Sequence, residues 1–67
     1  MIKNKIREYR LEKGLSMKEL AQRSNISIGY LSHLENGSRE NPSTEVMKRI
    51  AKALDETIIE VFFWNID

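Results

Sequence analysis

Sixty-seven residues without a cysteine leave room for one small core held by packing and helix caps, and exclude a second domain, a disulfide framework and a thiolate metal site. The formal net charge is only +1, but residues 1–23 carry seven Lys/Arg against three Asp/Glu while residues 24–67 carry four against seven, so basic charge gathers at the front. The opening stretch is charged throughout, and the longest apolar-rich run, "IIEVFFW", is too short to cross a bilayer, which sets the expectation of a cytoplasmic protein with no membrane partner.

Ile2, Ile6 and Tyr9 recur at i, i+4 and i+7, and Gly14 offers a left-handed stop, so the first helix is predicted from about Lys3 to Lys13. Ser16 starts the second. Its Glu19 completes a capping box, and Leu15 and Leu20 take the N′ and N4 places of a hydrophobic staple. That helix ends near Ser24, and only Asn25 and Ile26 separate it from Ser27, the cap of a third helix stapled by Ile26 and Leu31 and stopped by Gly37. Asparagine tolerates the left-handed conformation such a tight turn requires. Pro42 bars further helix upstream, and Ser43 caps a fourth helix in which Met47, Ile50, Ala51 and Leu54 fall at i, i+3, i+4 and i+7. Thr57 and Glu60 form another capping box, opening a short fifth helix from Ile58 to Phe63 whose inward stripe is Ile58, Val61 and Phe62. With no convincing strand alternation, repeat or linker, the expected fold is all-α: five helices in a single domain over 1–67.

Helices 2 and 3, joined by so short a turn, form a helix-turn-helix candidate. Ala21 supplies the small residue where they cross, and Leu20, Ile26, Leu31 and Leu34 fill the angle between them. Ser27, Ile28, Gly29, Ser32 and His33 then remain outward on the third helix. No charged residue stands between Ser24 and Leu34, in a chain that is 31% charged. A solvated helix face usually carries charge, so a neutral strip flanked by Lys18, Arg23 and Arg39 suits close approach to a polar, anionic partner. Double-stranded DNA fits: the N-terminal half of the second helix meets base edges in the major groove, where short donors, acceptors and methyl groups fit and long charged side chains crowd. His33, the only histidine, lacks carboxylate companions at ligand spacing, so no metal and no other cofactor is expected.

The stretch "LEKGLSMKELAQRSNISIGYLSHLENGSRENPSTEVMKRIAKALDETIIEVF" resembles the lambda-repressor-like, Xre-type helix-turn-helix family of bacterial and phage transcriptional regulators. The combination of "S-x-x-E-L-A", "N-I-S", "Y-L-S-x-L-E-N-G", "N-P-S" and "I-A-x-A-L" carries the likeness. The resemblance implies that Met17 and Lys18 open the second helix against the DNA backbone, that Ser27, Ile28, Gly29, Ser32 and His33 face bases, and that Tyr30, Asn36, Ser38 and Arg39 approach phosphates. It also implies that Arg10 pairs with Glu35, locking the reading helix to the scaffold. Met17 stands where relatives often have Gln, leaving the backbone N–H at the helix start for that contact. Asn25 stands where they have Gly, and Glu40 adds a negative charge to a loop that relatives often use on phosphates.

No Gly-rich phosphate loop and no nucleophile with a plausible His and acid around a pocket are present, so an enzyme is not expected. The expected function is a sequence-specific DNA-binding regulator, a repressor that occupies a two-fold operator as a homodimer. The rival reading is a protein-interaction module, antitoxin-like or a regulatory subunit, with weak DNA binding and a regulatory protein or peptide partner. Ile59, Phe63, Trp64 and Ile66 have no inward use, which makes residues 58–66 a candidate dimerisation segment. Two-fold pairing there would set two reading helices about one DNA turn, ~34–36 Å, apart. The alternatives for this segment are an extended course after Phe62, with "FFW" pairing across the axis as a short strand, and Trp64 folded back on Tyr9 or Ile2.

Overall fold

A computed structural model describes residues 4–37 and 42–63. Within them five α-helices follow one another: α1 (Ile6–Glu12), α2 (Met17–Ser24), α3 (Ile28–Glu35), α4 (Thr44–Ala53) and α5 (Ile58–Phe62). No strand occurs among the described residues.

Four helices begin on a hydroxyl. The Ser16 hydroxyl accepts from the Glu19 N–H at 3.0 Å while a Glu19 carboxylate oxygen accepts from the Ser16 N–H at 2.8 Å, so the capping box of α2 is complete. The Ser16 backbone N–H first, and the Ser16 side chain second, hold the Glu19 carboxyl below its usual range. Ser27, Ser43 and Thr57 accept from the backbone of Tyr30, Val46 and Glu60 at 3.1, 3.2 and 3.1 Å, each satisfying one orphan donor of its helix. The capping box expected at Thr57 and Glu60 is only half made. Glu60 accepts instead from the Tyr9 hydroxyl at 3.0 Å, a bond that ties α5 to α1 and, with lesser burial and charge effects, raises the Tyr9 pKa.

The first helix starts at Ile6 rather than near Lys3: its N-cap is Lys5, whose side chain makes no cap bond, and the preceding Asn4 secures the start. The Asn4 Oδ1 accepts from the Ile6 N–H at 3.0 Å, and its Nδ2 donates to the Leu34 carbonyl at the end of α3 at 2.8 Å. The Lys5 N–H donates to the Val61 carbonyl of α5 at 2.8 Å. At the other ends, Gly14, Asn25 and Asp55 have φ of 70°, 57° and 58°. In each case the next N–H reaches back five residues: Leu15 to Arg10, Ile26 to Ala21 and Glu56 to Ala51, at 2.9, 3.0 and 2.9 Å. These are the 6→1 bonds of Schellman turns. The left-handed Asn25 is the tight turn read from sequence; Asp55 performs the same task before α5.

Ile6, Leu15, Leu20, Ala21, Leu31, Leu34, Ile50, Ala51, Leu54 and Val61 form one buried cluster. The small Ala21 and the leucines of the α2–α3 angle lie there, as their spacing required, with Ile26, Ile58 and Phe62 partly buried against them. On α4, Val46 and Ala53 pack alongside, while Met47 is half-buried. Helix α2 packs on α3 and α4, α5 on α4 and α1, and α1 on α3. The layout leaves one side of α3 uncovered. No helix among the described residues is long and apolar enough to cross a membrane.

Candidate nucleic-acid interface

The uncovered side of α3 carries the five residues expected to face bases. Ser27, Ile28, Gly29 and His33 are exposed and Ser32 is half-buried, whereas Leu31, Leu34 and Glu35 are buried on the opposite side. The exposed side therefore combines a methyl-bearing chain, two hydroxyls, an imidazole and a bare backbone position, with no formal charge. A Cβ added at Gly29 would meet no atom within 4 Å, so packing inside the protein does not demand a glycine there.

Around this strip, Lys18 is exposed on the first turn of α2 and Asn36 is exposed at the end of α3. An open groove of about 690 Å³, lined by Lys18, Gln22, Asn25, Ser27 and Ile28 among others, runs along the α2–α3 turn. Met17 and Tyr30 are half-buried and pack against the core, so the side chain of each has a structural task beside any contact to a backbone phosphate. Ser38 and Arg39, the other two residues expected at phosphates, lie outside the described residues. Among the described residues no group of three or more His, Asp or Glu side chains is assembled to hold a metal ion.

Glu35 anchors α3 to α1. Its side chain is only 3% exposed and its carboxylate is gripped by α1: Arg10 donates from Nε to Oε2 and from Nη2 to Oε1, both at 2.9 Å, and Arg7 donates from Nε to Oε1 at 3.0 Å. A third Arg10 donor, Nη1, reaches the Leu15 carbonyl at 2.9 Å. The two-pronged Arg10 contact is the pair that the resemblance implied, in the planar fork geometry suited to a carboxylate. Burial opposes the Glu35 charge, but the hydrogen bonds from Arg10 and then Arg7 outweigh it and hold the carboxyl below its ordinary range. The same contact raises the Arg10 pKa.

Arg7 was not singled out by the sequence, although a signal exists. It stands three residues before Arg10, on the same face of α1. Its Nη2 also donates to the Asn36 Oδ1 at 3.4 Å, and the Asn36 Nδ2 donates to the Ser32 hydroxyl at 3.5 Å. Away from this face, Ile59 and Phe63 of the candidate dimer segment are 66% and 39% exposed. Trp64 and Ile66 lie outside the described residues, as does any course of the chain after Phe63.

Known proteins share this fold. The HTH-type transcriptional regulator SinR of Bacillus subtilis is 36% identical over 58 residues, covering 87% of this chain and 52% of SinR. A solved complex of SinR and SinI protein superposes with a TM-score of 0.79 at 36% identity, covering 88% of this chain and 57% of that one. A crystal structure of SinR, described as the master regulator for biofilm formation, in complex with DNA gives a TM-score of 0.78 at 36% identity over 87% of this chain and 92% of that one. The chain spans about half the length of the curated SinR proteins it matches. The sequence profile of helix-turn-helix proteins covers residues 6–61, from the first residue of α1 to the buried Val61 of α5, and the chain belongs to that helix-turn-helix family, of the Xre, lambda-repressor-like type.

Proposed function

We propose that this chain is a sequence-specific, double-stranded DNA-binding transcriptional regulator, a repressor that occupies a two-fold operator as a homodimer. The carrying observation is the charge-free exposed side of α3, held in place by the buried Glu35. Such a surface enters a major groove without desolvating a charge of its own, and its short polar groups match base edges. In this reading Ser27, Ile28, Gly29, Ser32 and His33 face bases. Lys18, the backbone N–H of Met17, Tyr30 and Asn36, together with Ser38 and Arg39, meet phosphates. The DNA complex of SinR supports it. Ile59 and Phe63, continued by Trp64 and Ile66, supply the contact between two copies and, with the rest of the chain, make 1–67 one functional domain.

The complex of SinR with SinI protein supports a second reading, in which a regulatory protein engages the chain. Binding of the purified protein to duplexes selected from random DNA separates the two. Ser32→Ala and His33→Ala should each cost about 1–3 kcal/mol at the selected site and almost nothing on random duplex. Lys18→Ala should weaken both and lower the salt slope by about one. Equal losses on selected and random DNA for the first two variants would remove them from the base-reading set, and absence of DNA binding would leave the protein-partner reading.

A further inference from the structure

An amide side chain has a donor end and an acceptor end, whereas a guanidinium only donates. The Arg7 contact, long at 3.4 Å, favours one orientation of Asn36: Oδ1 toward Arg7, and Nδ2 toward Ser32 at 3.5 Å. The Ser32 hydroxyl oxygen thus accepts, and among the described residues its own hydrogen has no acceptor. Ser24 behaves oppositely, donating to the Leu20 carbonyl of its own helix at 2.6 Å, the usual internal outlet for a helical serine. The backbone reinforces the link, since the Asn36 N–H donates to the Ser32 carbonyl at 3.0 Å.

We propose that Arg7 and Asn36 are positioning residues that set the polarity of the reading face, making Ser32 a hydrogen donor to DNA and so selecting a base edge that accepts. That edge is N7 or O6 of guanine, N7 of adenine or O4 of thymine; an exocyclic amino group of adenine or cytosine would meet only the one lone pair that Asn36 leaves and would strand the hydroxyl hydrogen. The inference rests on Ser32 facing bases as proposed above. It assigns to Arg7 a task that the grip on Glu35 does not require, because Arg10 already supplies a two-pronged contact there.

Selection from randomised duplexes with the 67-residue chain tests it. Ser32→Ala should flatten preference at one base position by about 5-fold or more, the specific loss expected above for a base contact. Asn36→Asp is the decisive variant: a carboxylate accepts from both Arg7 and Ser32, so the hydroxyl hydrogen turns inward and its lone pairs face the groove. The favoured base at that position should then change to one presenting an amino group, whatever the overall loss of affinity from the added charge. Arg7→Met, with Arg10 still on Glu35, should reduce the same preference by a similar factor. Retention of the original base by Asn36→Asp would overturn the proposal while leaving Ser32 a base reader; no flattened position in Ser32→Ala would overturn both readings. A readout without DNA covers the relay alone. The Asn36 side-chain NH₂ resonances should move in both Ser32→Ala and Arg7→Met, and unmoved resonances in either would show that no relay exists.

Discussion

Gly29 sits in the first turn of α3, exposed, with open space where a Cβ would stand. A glycine in a helix costs about 0.5–1 kcal/mol relative to alanine, and nothing inside the protein offsets that. Gly29→Ala should therefore raise the melting temperature by roughly 2–8 °C for a domain of this size, while lowering affinity for the selected duplex, because the added methyl occupies space beside the bases. A rise in both would place Gly29 away from the groove. Glu35 presents the reverse situation. A carboxylate at a helix C-terminus opposes the helix dipole, and in the sequence it reads as one more solvated charge. Only the resemblance pointed to Arg10, and Arg7 stayed unread because its partners lie 28 and 29 residues away. The five outward residues of α3, by contrast, were legible as residues, since a charge-free run in a highly charged chain is visible without any contact.

At the scale of helices, the legible features were those with local causes. Ser16, Ser27, Ser43 and Thr57 cap the helices that their positions announced. The start of α1 lies later than the period of Ile2, Ile6 and Tyr9 suggests, because its N-cap is Lys5 and Asn4, one residue earlier, bonds the first helical N–H. Asn4 makes two bonds, one to its own helix and one to the end of α3. Asn4→Ala should lower stability by about 1–2 kcal/mol, read as a lower urea midpoint with unchanged slope. Asn4→Ser keeps a capping oxygen but loses the amide donor, and should fall between the two. Equal midpoints for all three proteins would mean that neither bond matters. The incomplete box at Thr57 has a long-range cause: Glu60 is claimed by Tyr9, 51 residues earlier, and no local pattern records such a competitor.

For the whole molecule, the buried apolar residues were readable from helical spacing, but the burial of Ser24 and Glu35 and the placement of α1 between α3 and α5 were not, because polar bonds fix them. The exposed Ile59 lies on α5 and the exposed Phe63 is the C-cap that follows it. Burial of these two side chains against a second copy predicts a wild-type dimer in sedimentation at micromolar concentration and a monomer for Ile59→Ser/Phe63→Ser; a monomeric wild type or a fully dimeric variant would rule out this interface. Acid should act elsewhere. The Glu35 carboxyl is held below its ordinary range, so its stabilising contribution is complete above the unfolded value of about 4.3 and is lost as pH falls through the lower folded one. Glu35→Gln should abolish that part of the acid dependence in a melting series, and an unchanged profile would assign it to other carboxylates. Helix α1 buries only Ile6, with the Tyr9 ring packed partly against the core, and the rest of its attachment, with the residues that flank it, is polar: Asn4, Arg7, the Tyr9 hydroxyl, Arg10, Lys13 and the Lys5 backbone. A helix attached mainly through charge and hydrogen bonds can detach while the apolar packing of α2, α3 and α4 persists. As pH falls below about 4.3 and Glu35 takes up its proton, α1 should thus open as its own cooperative unit, its amides losing protection from hydrogen exchange before those of α2 and α4, and α3 would lose its brace before the molecule unfolds.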